Sequence, residues 1–213
     1  MLVTMKEMLQ DAKARRYAVG MFNTFDLEMA KAVIGAAEEQ AAPVIVGTSE
    51  PLIPCASLEE VAYYLLPMAR RAKVPVAIHF DHGLTLQAIY TALKVGFTSV
   101  MYDCSMDSYE GNVQKVADIA RVAHGFGATV EGELGHVGSE DHTVESRVGG
   151  SSVYTDPAQA QDYAARTGVD ALAVAIGNAH GVYMKAPKLD IAILQAYLDA
   201  DSDAKTTLIR NER

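Results

Sequence analysis

Apolar positions along this chain follow two alternating rhythms. Short runs of β-branched and small apolar residues occupy 18–23 (AVGMFN), 43–48 (PVIVGT), 75–80 (PVAIHF), 98–102 (TSVMY), 128–133 (ATVEGE) and 170–177 (DALAVAIG). Between them, 26–40, 57–73, 84–95, 109–126 and 156–167 place apolar residues at helical spacing, and 191–200 reads as one more helix. Strands that are apolar almost throughout are covered on both faces, which parallel strands with intervening helices achieve. The pattern predicts an α/β fold of six strand–helix units. No linker, low-complexity tract or block of like charge interrupts it. Residues 1–213 therefore read as a single, partial βα-barrel domain, with 191–213 as an atypical tail.

An open doubly wound sheet and a TIM (β/α)8-type barrel both fit six units, and the polar residues separate them. Asn23 follows the first strand and Ser49 the second; His79, Asp81 and His82 follow the third. Asp103 follows the fourth, Glu131 and Glu133 end the fifth, and Asn178 and His180 follow the sixth. A barrel brings all such strand ends to one rim, whereas an open sheet concentrates them at one switch point. No GxGxxG follows the first strand. The expectation is a TIM-type barrel truncated after its sixth strand–helix unit, since closure takes eight units and about 250 residues.

Composition narrows the function class. With 27 acidic and 18 basic residues the formal net charge is −9, which argues against nucleic acid or an anionic membrane as the main partner. A small anionic substrate needs only a few local donors and stays open. Cys55 and Cys104 lack metal-site or redox spacing, so no disulfide framework is expected. The opening residues lack the apolar core of a signal peptide, and no run approaches the ~20 apolar residues of a membrane span. The expectation is a cytoplasmic protein.

Three clusters carry candidate chemistry. In His79-Phe80-Asp81-His82-Gly83, three titratable groups sit within four residues of a strand end. Alternation puts His79 and Asp81 on one face, and His82 can turn the same way once the strand ends. Imidazole is the commonest zinc ligand, and carboxylates serve acid–base chemistry. Gly177-Asn178-Ala179-His180-Gly181 surrounds one histidine with small residues that let a ligand approach the backbone. A plain turn explains that cluster equally well until His82 and His180 are read as one two-histidine site. In Glu131-Gly132-Glu133 the glutamates share a strand face, and burial would require partners or a metal; the alternative is a solvated strand end. The polar loop 135–152 that follows reads as a lid carrying Glu140 and Asp141, with His136 and His142 as solvated loop residues. No lysine falls where it would project from a strand into the mouth, which favours metal chemistry over a Schiff base.

The motifs FDHG, EGELGHVG and ALAVAIGNAHGVY, in that order, with the opening FNTFDLEMAKAVIGAAEEQAAPVIV, resemble the class II (zinc-dependent) fructose- and tagatose-bisphosphate aldolases over residues 1–190. The resemblance implies Asp81 as the acid at the aldehyde oxygen, and His82 and His180 as ligands of a catalytic Zn2+. Asp103 and Glu133 would form an alternative metal position. Gly181 would offer backbone to substrate phosphate, near a monovalent cation in some members. Asn23 and Ser49 match substrate-side positions. The lid carboxylate that moves the C3 proton falls at Glu140 or Asp141, with Asp141 the better match. The implied substrate is a small phosphorylated sugar cleaved to dihydroxyacetone phosphate and glyceraldehyde 3-phosphate, and the implied assembly is a dimer or tetramer.

The resemblance stops before the family's seventh-strand histidine, the third zinc ligand, because no histidine follows His180. The expectation is that this chain alone binds zinc weakly and turns over little or no substrate. A non-catalytic family relative is the competing reading. A metal-dependent barrel hydrolase ranks below both, since no HxH occurs on the first strand.

Overall fold

The structure, a computed structural model, describes residues 1–135, 138–139, 154–180, 186, 188–200 and 207–209. They fall into two units, Met1–Asp103 with Asp118–Glu131, and Cys104–Ala117 with Gly132–Arg213.

The first unit opens with helix α1 (Met5–Arg15), which the apolar rhythm alone does not reveal. A capping box announces it: Thr4 accepts from the Glu7 backbone N–H, and the Glu7 carboxylate returns to the Thr4 N–H at 2.9 Å. Strands β1 (Gly20–Asn23), β2 (Val44–Ser49), β3 (Val76–Gly83), β4 (Ser99–Tyr102) and the start of β5 (Thr129–Leu134) then pair in parallel, each with the next in sequence. Helices α2 (Leu27–Glu39), α3 (Leu58–Arg71), α4 (Leu86–Val95) and α5 (Tyr109–Gly125) lie between them in the chain. Asp26, Ser57 and Thr85 cap the first three of these through their side-chain oxygens, each worth about 1 kcal/mol. Every residue of β2 and β4 is buried, as continuous apolar strands require. Phe80 on β3 packs edge-on against Phe97, with ring centroids 6.3 Å apart.

In the second unit β6 (Gly138–Ser139) pairs in parallel with β8 (Ala179–His180). Helix α6 (Pro157–Thr167), capped by Asp156, leads into β7 (Ala171–Val174). The sixth apolar run was expected to extend to 177. It stops earlier because Ile176 bridges antiparallel to Tyr154 and Gly177 turns the chain at φ +96. Helix α7 (Ile191–Ala200) forms where the tail predicted it, and Tyr197 on α7 donates its hydroxyl to the Thr155 carbonyl. Beyond it β9 (Thr207–Ile209) pairs in parallel with β7, a strand the sequence reading did not assign. Among the described residues no helix is long and apolar enough to cross a membrane.

Candidate metal centre

Strand β3 does not end at Phe80, as its apolar run suggested, but continues through Gly83 with an irregularity. Its register with β4 shifts between Phe80 and Gly83, and His82 sits in the left-handed region at φ +45. A bulge of this kind breaks strict alternation and re-aims a side chain. Thus His82 Nε2 comes within 3.8 Å of Asp81 Oδ1, although the two residues are adjacent in a strand. Gly83 makes the bulge feasible. A Cβ there would meet Ile89 Cδ1 at 2.5 Å and the Met101 carbonyl oxygen at 2.8 Å.

The neighbouring strands supply the partners. Asp103, immediately after β4, donates its backbone N–H to the Gly83 carbonyl at 2.9 Å, and its Oδ2 lies 2.9 Å from His82 Nδ1. Asn23, ending β1, donates its Nδ2 hydrogen to Asp81 Oδ2 at 2.7 Å. That reach crosses β2 at Gly47, where a Cβ would lie 2.6 Å from Asn23 Oδ1. Ser49, the last residue of β2, is buried in register with Asp81. Deeper in the sheet His79 is 0% exposed, with Nδ1 2.7 Å from Ser99 Oγ and Nε2 3.2 Å from Glu131 Oε2. Glu131 is buried as well, so in this strand the solvated alternative fails. The network of His79, Ser99 and Glu131 was not predicted as a unit. Only the burial of a titratable pair hinted at it.

In the second unit Glu133 is buried, and its backbone carbonyl accepts a hydrogen bond from Asn112 Nδ2 at 2.9 Å. Asn112 Oδ1 in turn accepts from the Tyr163 hydroxyl at 2.7 Å. Gly132 leaves room for that hydroxyl, which a Cβ would meet at 2.8 Å. At the end of β5, Thr155 Oγ1 donates to the Leu134 carbonyl at 2.6 Å and accepts from the Ala175 N–H at 2.9 Å. Asn178 is buried and folds back to accept from the Ile176 N–H at 3.0 Å. The backbone of His180 lies in β8, beside Ser139. Asp141, Gly181, Glu140, His136, His142 and the side chain of His180 lie outside the described residues.

A carboxylate on one imidazole nitrogen fixes the tautomer and leaves the other nitrogen's lone pair for a metal. The Asp103–His82 pair has this form, with Nε2 directed to the side where Asp81 lies. The donor set fits a divalent ion bound through nitrogen and carboxylate oxygen.

Residues 3–204 match the family model described as fructose-bisphosphate aldolase class-II. This chain belongs to the class II fructose-bisphosphate aldolase family. Family relatives include a fructose-bisphosphate aldolase of Geobacillus stearothermophilus, 40% identical over 201 residues, which cover 93% of this chain and 69% of that protein. The uncharacterized protein YdjI of Escherichia coli (strain K12) is 39% identical over 202 residues, covering 95% of this chain and 72% of YdjI. The crystal structure of the YdjI aldolase from Escherichia coli K12 superposes with a TM-score of 0.87 at 34% identity, over 100% of this chain and 74% of that one. As a family member, the chain is related to proteins that work on phosphorylated sugars through aldol chemistry.

Proposed function

We propose that this chain carries the catalytic core of a class II ketose-bisphosphate aldolase on a TIM-type barrel. The reaction is reversible, zinc-dependent cleavage of fructose- or tagatose-1,6-bisphosphate to dihydroxyacetone phosphate and glyceraldehyde 3-phosphate. The observation that carries the reading is the pair of contacts Asn23–Asp81, reaching from β1 across β2 to β3, and His82–Asp103, from β3 to the end of β4. Family membership supports it independently.

In this reading His82 and His180 are zinc ligands, and Asp103 with Glu133 offers the alternative metal position. A bound zinc ion supplies Lewis-acid polarisation of a carbonyl. Asp103, against Nδ1, would hold the His82 ring in the orientation that turns Nε2 to the metal. Asp81 donates a proton to the aldehyde oxygen of glyceraldehyde 3-phosphate during condensation and recovers it during cleavage. The Asn23 amide, donating to Asp81 Oδ2, orients the carboxyl that moves that proton. Ser49 and Asn23 hold substrate hydroxyls. Gly181 offers its backbone to phosphate near a monovalent cation, and Asp141 moves the C3 proton. The working form is a cytoplasmic homo-oligomer of two or four copies.

The test is cleavage of each bisphosphate by zinc-loaded protein, with and without EDTA, beside Asp81→Ala. Turnover by this chain alone should be small; what there is should vanish with EDTA, and Asp81→Ala should lower its kcat/KM by about 10²–10⁴-fold, the usual contribution of a positioned acid. Full turnover by the alanine variant would remove Asp81 from the mechanism. Zinc binding with no cleavage of either substrate would favour the non-catalytic family member.

A further inference from the structure

His82 lies at φ +45, a region uncommon for a residue with a Cβ, though histidine enters it more readily than most, and the bonds around it favour that conformation. On one side the hold is the β4 end, where the Asp103 N–H bonds the Gly83 carbonyl. On the other it is Glu50, which opens the short 3-10 turn (Glu50–Leu52) directly after Ser49. Glu50 Oε2 accepts the Leu84 N–H at 2.6 Å and the Thr85 N–H at 3.0 Å, and Oε1 accepts the Thr85 hydroxyl at 2.7 Å. Ordinary capping does not explain this, because Thr85 already caps α4 by accepting from the Ala88 N–H. Glu50 instead ties the end of β2 to the two peptide groups that follow the His82-Gly83 turn. A carboxylate accepting two backbone N–H groups makes charge-assisted bonds that fix direction as well as distance.

We propose that Glu50 is a positioning residue for His82: by gripping the Leu84 and Thr85 N–H groups it sets the His82 backbone, so that the ring keeps Nδ1 on Asp103 and presents Nε2 to the metal. This rests on the zinc reading of His82 given above. Groups behind a metal ligand set its affinity, and their loss typically costs about 10–100-fold.

The test measures zinc affinity of the purified chain by competition with a chromophoric chelator, for wild type, His82→Ala, Glu50→Ala, Glu50→Gln and Glu50→Asp. Glu50→Ala should bind zinc about 10–100-fold more weakly than wild type. Glu50→Gln should stay near wild type, since its amide oxygen still accepts both N–H groups. Glu50→Asp keeps the charge but is one methylene too short, and should resemble the alanine variant. Melting of the metal-free proteins separates loss of positioning from loss of fold. If Glu50→Ala does not fold, the order of the glutamine and aspartate variants decides. Aspartate near wild type with glutamine weak would mean that Glu50 acts through charge alone, which overturns the inference. Glu50 variants all equal to wild type, while His82→Ala loses zinc, would overturn it and leave the zinc reading standing. Wild type and His82→Ala binding zinc equally would overturn the zinc reading itself.

Discussion

Two networks in this chain are built on carboxylates in opposite settings. On the exposed face shared by α5 and α6, the Tyr109 hydroxyl donates to Asp162 at 2.6 Å, and Arg166 reaches Glu110 at 2.6 and 2.9 Å and Asp162 at 3.2 Å. The Arg166 guanidinium also lies 5.7 Å over the Tyr109 ring. Within β3 and β5 of the first unit, His79, Asp81 and Glu131 are enclosed by protein instead. Water screens the surface set and would solvate each member if its partner left. The interior set has no such alternative, so removing one member strands the others. Ion pairs are therefore weak evidence of importance on a helix face, whereas titratable groups buried inside a sheet need a reason to be there.

The contrast is sharpest for His79→Leu. It removes one partner of Ser99 Oγ and the histidine beside Glu131, and should destabilise the fold by about 1–3 kcal/mol, measured by urea unfolding. An unchanged midpoint would mean that the interior network tolerates loss as well as the surface one does.

Alkaline pH gives the next effect. Burial first, then the hydrogen bond to Asp162, pushes Tyr109 up to about 12, and burial pushes Tyr197 up to about 12. Both folded values lie above the ordinary value of about 10. The stabilisation is therefore complete below about pH 10 and is lost as pH rises toward about 12. Absorbance-monitored tyrosine titration beside unfolding at each pH should show that loss, and Tyr109→Phe should reduce it. A pH-independent midpoint across that window would contradict it.

Smallest of all is Arg166→Ala. The Arg166 guanidinium holds the Glu110 carboxyl below the usual carboxylate range and, after the Tyr109 hydroxyl, contributes to lowering Asp162. Exposed pairs of this kind contribute little, so the unfolding midpoint should fall by no more than the error of the measurement. A loss as large as that of His79→Leu would erase the distinction between the two networks.

Much of this architecture was legible in order of residues. Continuous apolar runs separated by amphipathic stretches announced parallel strands and their helices. Polar residues just past those runs marked Asn23, Ser49, Asp81, His82 and Asp103. The Thr4–Glu7 capping box went unread, because it falls outside the strand–helix rhythm. Glu50 was not, because its partners are peptide groups 34 and 35 residues away. Ser99 beside His79 and the Asn112–Tyr163 support under Glu133 escaped for the same reason. Side-chain patterns carry period and polarity, not the identity of a distant hydrogen-bond partner.

By itself the sequence determined the alternation of buried strands and amphipathic helices, the family, and which residues stand at strand ends, because burial and backbone geometry impose periods of two and 3.6 on side chains. Only the tertiary structure decided that β3 bulges at His82, that Asp103 rather than Asp81 holds its Nδ1, and that Asn23 reaches Asp81 across Gly47. Those outcomes depend on inter-strand register and on clearances of a few tenths of an ångström, which no periodicity along one chain encodes.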